Sequence, residues 1–311
     1  MVEVLVIPDG ACEDPRLGPT SLERARTPVL DGICAQGEVR AVRTIPAGLP
    51  AGSEVGIPVL LGMNLRAVPS RGLIEAAAAG IRVPGEMWAW RVDVPREATA
   101  EVLSHKEHER WGLTHLKGHR FLAISKSPPA LPDSWRVWPT GVALPRILAS
   151  SVVVVAAAGA AVGCARLLGA HVVVPAGGTG DTDTDYRAKA HAALEALEEL
   201  GALATPQASA TVGSTCKVVV HLGGPDEASH RGDRAEKIAA IEAIDEMILA
   251  PLRDEVRRRG GILTVCPDHG TDPVTGRHLE HPVPCVRWGA GVRASGPLRL
   301  AESDLREGVR V

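Results

Sequence analysis

Five short segments of the chain carry side chains that could bind metal or attack a phosphoryl group. Asp9 precedes Gly10, Ser53 stands within Gly52-Ser53-Glu54-Val55-Gly56, and Asp226 lies four residues before His230. Asp268 and His269 are adjacent, and His278 stands ahead of Pro282-Val283-Pro284. Hard carboxylate oxygens combined with imidazole nitrogens suit Mn²⁺, Zn²⁺ or Mg²⁺, and the donors suffice for two ions. Two such ions about 3.5–4 Å apart could clamp a phosphoryl group and activate a coordinated hydroxyl, for which Ser53 is the natural choice. Each segment alone has a plainer reading: Asp before Gly suits a turn, a loop His is usually solvated, and Gly-Ser-Glu often caps a helix. Their joint occurrence in this order is what carries the argument.

The elements that must position these residues alternate apolar strands with longer helical segments, which predicts an α/β fold with a mostly parallel sheet and helices on both faces. Strands are expected at residues 2–7, 152–155, 172–174, 218–221 and 262–266, and helices over 186–200 and 233–258. Ile238, Ile241, Ile244, Ile248 and Leu252 give the second helix a broad apolar stripe. Asp9 closes the first strand and Asp268 the last, with Asp226 in the loop after His221. The carboxyl ends of strands are where open α/β sheets bind ligands.

Composition sets the remaining limits. With 311 residues, 45% hydrophobic and 23% charged, the chain can bury one large core, which excludes disorder, collagen and coiled coil. Aromatics make up only 3%, so the core must be built from Val, Leu, Ile and Ala. A net charge of −3 gives no basic field for nucleic acid or an anionic membrane, which favours a small-molecule partner. The six cysteines are widely spaced with no C-x-x-C pair, pointing to a reducing compartment and a cytoplasmic location. The N-terminal segment reads as a strand and not as a signal peptide. Residues 147–165 form 19 positions without charge, but their Ser-Ser, Val-rich and Ala/Gly-rich parts read as a buried strand passing into a helix, not a membrane span.

Between residues 74 and 145 the character changes, with five of the six Trp and four of the eleven His. This stretch reads as a small inserted domain, 74–145, interrupting a core formed by 1–73 and 146–311.

The segment order resembles that of the alkaline phosphatase superfamily, specifically the archaeal-type cofactor-independent phosphoglycerate mutases, through most of the chain. The resemblance begins with Val6-Ile7-Pro8-Asp9-Gly10 and continues through residues 22–31, Ala51-Gly52-Ser53-Glu54-Val55-Gly56 and Leu60-Leu61-Gly62-Met63. Ser70-Arg71-Gly72-Leu73-Ile74-Glu75-Ala76 is similar to the family's G-R-G-x-x-E-A stretch, with Ser70 in place of the first Gly. Ala165-Arg166-Leu167-Leu168-Gly169, residues 178–186, residues 224–233, Asp268-His269 and residues 278–284 complete it.

The resemblance implies that Asp9, Ser53, Asp268 and His269 hold one divalent ion and Asp226, His230 and His278 the other. It implies that Ser53 takes the phosphoryl group of a small phosphorylated acid and returns it to another hydroxyl of the bound product. Arg91, His119, Arg120 and Arg146 stand where the family places basic, substrate-binding residues. Two positions depart from the pattern: Val162 replaces a Lys, and Ile57 replaces a His after the nucleophile segment. The insert is about half its usual length, and its acidic glycerate-holding segments are not recognisable. These departures keep a phosphomonoesterase of the same superfamily open as an alternative, and a degenerate non-catalytic binding protein as a third. Substrate, ion identity and oligomeric state are not fixed by the sequence.

Overall fold

A computed structural model describes residues 2–149, 151–203 and 216–305. The strands in chain order are β1 (Val2–Pro8), β2 (Glu38–Val42), β3 (Trp88–Asp93), β4 (Leu113–Lys117), β5 (Arg120–Ser125), β6 (Arg136–Val137) and β7 (Val152–Val155). They continue with β8 (His171–Val173), β9 (Cys216–Leu222), β10 (Ile262–Val265), β11 (Gly270–Thr271), β12 (His278–Leu279) and β13 (Val283–Gly289). The main sheet has seven strands in the order β2-β13-β10-β1-β9-β7-β8. The strands from β10 to β8 run parallel, and β13 lies antiparallel to both β10 and β2. The expected α/β architecture is therefore present.

The sheet divides its side chains between two cores, as the alternation of a pleated strand requires. Val4, Val6, Val153, Val155, Val218 and Val220 face one core, packed with Leu197, Ile248 and Leu252. Leu5, Ile7, Val152, Val154 and Val219 face the other, with Val55, Ile57, Ile74 and Val162. Continuous Val runs suit strands covered on both faces. Residues 152–165 hold β7 and the start of the helix Ala160–Leu168, and no helix among the described residues is long and apolar enough to cross a membrane.

The helix expected over 186–200 spans Tyr186–Leu203. The one expected over 233–258 is interrupted: Arg234–Ile244 passes through a π-helical turn, Asp245–Leu249, into Ala250–Arg258. Asp245 in that turn accepts hydrogen bonds from the Val29 and Leu30 amides, so it caps the first turn of the helix Pro28–Gln36, which Thr27 leaves without a side-chain cap. The edge strand β2 and its neighbour β13 were not among the expected strands. Proline at 282 and 284 obscures β13 in the sequence, yet Pro284 is accommodated opposite Ala41 near the sheet margin.

Within the stretch of altered composition lies an antiparallel sheet, β4-β5-β3-β6. It encloses a small core of Trp90, Val92, Phe121 and Trp135. The helix Arg71–Ala78 packs between β3 and the helix Ala160–Leu168. No side chain fits at Gly72 of the first helix or Gly163 of the second: a Cβ would lie 2.0 Å from the Ala89 carbonyl oxygen and 2.1 Å from that of Ile74, respectively.

Candidate metal centre and nucleophile

Three neighbouring strands bring the carboxylates together. Val6 on β1 pairs with Val265 on β10 and with Val220 on β9. That register sets Asp9 and Asp268, each three residues further on, level with each other. Asp226 arrives from β9 through the first turn of the helix Gly224–Arg231, and His230 is one helical turn later on the same face. The β11–β12 hairpin pairs Thr271 with His278 and so returns His278 beside His269, with ring centroids 4.3 Å apart. Ser53 is the first residue of the helix Ser53–Leu60.

All seven sequence-derived ligands converge. Ser53 Oγ lies 3.4 Å from each Asp9 carboxylate oxygen and 3.3 Å from His269 Nε2. His269 Nε2 is 3.2 Å from Asp9 Oδ1 and 3.6 Å from Asp268 Oδ2. On the other side, Asp226 Oδ2 is 3.2 Å from His230 Nε2, and Asp226 Oδ1 is 3.5 Å from His278 Nε2. The two imidazole nitrogens face each other at 3.1 Å, and His278 Nδ1 is held by the Ala51 carbonyl at 3.0 Å. Thr271 Oγ donates to Asp226 Oδ1.

Two glycines make this convergence possible. Gly10 has φ 61°, and a Cβ there would lie 2.6 Å from Asp226 Oδ1. At Gly56 a Cβ would lie 2.3 Å from the Asp268 carbonyl oxygen. Ser53's helix therefore passes the Asp268 turn with no room for a side chain at Gly56.

The electrostatics call for cations. Burial, with Asp268 and Asp226 close by, pushes the Asp9 carboxyl well above its usual range. Burial also opposes ionisation of Asp226, but hydrogen bonds from His230 and His278 and the charge on His269 outweigh it and hold this carboxyl well below its usual range. The hydrogen bond to Asp226 raises His230. For His278, burial works downward, but the bond to Asp226 prevails and raises it. Asp268 Oδ2 is buried without a hydrogen-bond partner, although the carboxylate is fully enclosed. An unpartnered buried carboxylate oxygen costs several kcal/mol, on the order of 1–3 or more, unless a cation meets it. Two groups of donors, Asp226–His230–His278 and Asp9–Asp226–His269, each have ligand atoms within 4.8 Å of one another, so the residues present fit divalent metal.

A third such group contains a residue that the sequence reading did not single out. His221 is the penultimate residue of β9, and its Nε2 lies 3.2 Å from Asp9 Oδ2 with no hydrogen-bond partner of its own. With Asp9 and Asp268 it forms another potential ligand set. Burial lowers its pKa to about 4, keeping the imidazole neutral and able to ligate. The signal was a polar side chain ending the run Lys217-Val218-Val219-Val220-His221 at the ligand end of a strand.

The four basic residues have different surroundings. Arg91 is buried; its guanidinium bonds Asp93 at 2.9 Å and Glu75 at 3.3 Å and lies 4.7 Å from the Trp138 ring centroid. Glu75 in turn pairs with Arg71 at 3.0 Å, and Arg71 with Glu54 at 2.8 Å. A chain of ion pairs thus runs from the residue after Ser53 to the β3 strand, and it accounts for the Arg and Glu of the Ser70–Ala76 segment. His119 is lowered by burial, against the pull of Asp93. Arg120 opens β5 opposite Asp93, half-buried, and Arg146 is exposed beside Gly169.

A family model described as the metalloenzyme superfamily matches residues 1–307. The chain belongs to the metalloenzyme superfamily. Within it, the chain is 26% identical to 2,3-bisphosphoglycerate-independent phosphoglycerate mutase 2 of Methanothermobacter thermautotrophicus, over 99% of this chain and 94% of that protein. That alignment extends over 391 positions, so the relative carries segments with no counterpart in these 311 residues. The corresponding mutase of Methanosarcina barkeri is also 26% identical, over 91% and 89%. Among solved structures, the PH0037 protein of Pyrococcus horikoshii superposes with a TM-score of 0.76 at 25% identity, covering 97% of this chain and 89% of that one. The cofactor-independent phosphoglycerate mutase of Thermoplasma acidophilum shares the fold, with a TM-score of 0.61 at 18% identity over 97% and 93%.

Val162 and Ile57, which stand where the resembled mutase family carries a Lys and a His, are both buried in the large apolar cluster that also holds Val55 and Ile74.

Proposed function

We propose that this chain is a two-metal phosphoryl-transfer enzyme of the phosphoglycerate mutase type. The observation that carries the reading is Ser53 Oγ placed against both Asp9 oxygens and His269 Nε2, with Asp226, His230 and His278 alongside. Asp9, Ser53, Asp268 and His269 would hold one divalent ion, of Mn²⁺, Zn²⁺ or Mg²⁺, and Asp226, His230 and His278 a second. Bound ions would neutralise phosphoryl charge and favour the ionised serine. Ser53, fixed at the start of its helix with its hydroxyl directed toward Asp9, then attacks phosphorus. The substrate's ester O–P bond breaks as the Ser53 Oγ–P bond forms, and the proton given up by Ser53 ends on the leaving oxygen, which departs as a hydroxyl.

In the second half-reaction another hydroxyl of the same bound acid takes the phosphoryl group from Ser53. We assign retention of that product to the 74–145 segment as a lid over the 1–73 and 146–311 core. Arg91, His119, Arg120 and Arg146 are its proposed anion contacts, with Arg91 reaching the nucleophile helix through Glu75, Arg71 and Glu54. Six unpaired thiols agree with a reducing, cytoplasmic setting.

A phosphomonoesterase is the second reading, favoured by one observation: Val162 and Ile57 fill with hydrocarbon the place of a cation that would help hold the phosphorylated intermediate. One experiment addresses both. The metal-loaded protein is supplied with 3-phosphoglycerate, and 2-phosphoglycerate and free phosphate are measured together, with Ser53→Ala as control. Isomerisation exceeding phosphate release supports the mutase, and phosphate release alone supports the esterase. Turnover by Ser53→Ala within a few-fold of the parent would refute both.

A further inference from the structure

In the apolar cluster that also holds Val55 and Ile57 of Ser53's helix, two cysteines stand on adjacent strands. Val265 on β10 pairs with Val286 on antiparallel β13, so Cys266 and Cys285 are the next pair in the same register. Both side chains are buried, and the Cys266 thiol donates to the Pro267 carbonyl at 3.6 Å. Directly opposed residues on antiparallel strands have Cα atoms about 4.5–5.5 Å apart. That lies inside the roughly 4.4–6.8 Å range a disulfide accepts.

Both thiols line a cavity of about 220 Å³ that opens to solvent, together with Arg40, Arg43, Lys217 and a single carboxylate, Glu3. Three cations beside two thiols suit an anionic oxidant. Two thiols in register on adjacent strands, both lining one basic cavity, are the arrangement of a redox-sensing pair.

We propose that Cys266 and Cys285 are a reversible modification site, closing to a disulfide on reaction with a small carboxylate-bearing disulfide and thereby disturbing the metal-binding turn. Cys285 sulfur attacks one sulfur of the oxidant, whose S–S bond breaks and releases the first thiol. Cys266 then attacks Cys285 sulfur in the mixed disulfide, loses its proton, and releases the second thiol. The protein dithiol gives up two electrons, and the oxidant becomes two thiols.

Only Pro267 separates Cys266 from Asp268. The Asp268 carbonyl rests against Gly56 with no space for a Cβ, so a shift at Cys266 cannot be absorbed there. This coupling rests on the metal-centre reading; formation of the bridge does not.

The test uses the full chain, metal-loaded and reduced, then exposed to graded ratios of oxidised to reduced glutathione. Free thiols are blocked with N-ethylmaleimide, and unreduced digests are mapped by mass spectrometry. The expected product is one Cys266–Cys285 link, reversed by dithiothreitol. It should lose metal to a chelator on the order of 10-fold faster than the reduced protein, the scale of a disturbed ligand-supporting contact. Cys266→Ser should stop at a glutathionyl adduct on Cys285. Modification of half-buried Cys216 while Cys266 and Cys285 remain free thiols would overturn the site. A mapped link with unchanged metal retention would overturn the coupling. Because the link is read from peptide masses, neither outcome depends on which phosphorylated substrate the enzyme takes.

Discussion

Restoring the cation that the superfamily pattern carries, by Val162→Lys, is expected to cost folding stability before it can aid chemistry. Val162 is fully buried in the helix Ala160–Leu168, within the cluster holding Val55, Ile57 and Ile74. The helix cannot back away, because the next residue, Gly163, meets the Ile74 carbonyl at a distance that excludes a Cβ. A lysine enclosed in such surroundings has its pKa lowered by up to about 3–5 units. At about 1.4 kcal/mol per unit this amounts to roughly 4–7 kcal/mol, and the extra methylenes add about 1–3 kcal/mol of overpacking. The total is comparable with the whole stability of a typical domain, about 5–15 kcal/mol. The charge part has a pH signature. The folded state holds the lysine neutral while the unfolded chain keeps its proton, so stability should rise as pH climbs toward about 10.4, where the unfolded lysine also deprotonates. Urea unfolding of the parent, Val162→Lys and Val162→Met at pH 7 and pH 10 separates charge from size, since the methionine variant carries only the packing cost. A Val162→Lys protein within about 1 kcal/mol of the parent at pH 7, or with no extra gain at pH 10, would show that this position has access to a solvated or anionic site. The filled-core explanation would then be wrong.

Gly56→Ala should lower metal affinity while leaving secondary structure intact, because its methyl would sit 2.3 Å from the Asp268 carbonyl oxygen and displace that turn; isothermal titration with Mn²⁺ reads it. Chelation of bound metal should lower the melting temperature, since Asp9, Asp226 and Asp268 are all buried together. A ligand at 1,000 times its Kd contributes about 4 kcal/mol, which calorimetry with and without added metal would detect. Glu302, buried against Thr20 and the Glu13 amide, has its carboxyl pushed up to about 7, principally by burial. Between pH 4.5 and about 7 the folded protein retains a proton that the unfolded chain has released, so this group's contribution falls as pH rises and is fully lost above that window. Glu302→Gln should therefore stabilise the protein by about 3 kcal/mol at pH 8 and by little at pH 4, as denaturant titrations at the two pH values would show.

What the sequence made legible, and what it did not, follows from the range over which each determinant acts. The convergence of the candidate metal ligands could be read because each sits at a strand end or helix start marked by local chemistry: Asp9 before a positive-φ glycine, Ser53 opening its helix, Asp226 and His230 one turn apart. The parallel core was legible because strands buried on both faces, such as Val152–Val155, are apolar throughout. His221 was not legible as a potential ligand, because only the pairing of β9 with β1 sets it beside Asp9. The same holds for Asp245, whose task of capping Pro28–Gln36 depends on a contact across more than two hundred residues of chain. Arg91 shows the limit most clearly. An arginine in a Trp-rich insert reads as a free anion binder, but its guanidinium is already shared between Asp93 and Glu75. Any phosphorylated ligand meeting Arg91 must compete with two carboxylates, or must use the charge that Arg91 relays through Glu75 and Arg71 to Glu54 beside the nucleophile. In a site already crowded with buried carboxylates, Arg91 and Arg71 first balance the protein's own acids, so on the proposed reading the cations left for a phosphorylated substrate would be the divalent metals and whichever of His119, Arg120 and Arg146 can turn toward it.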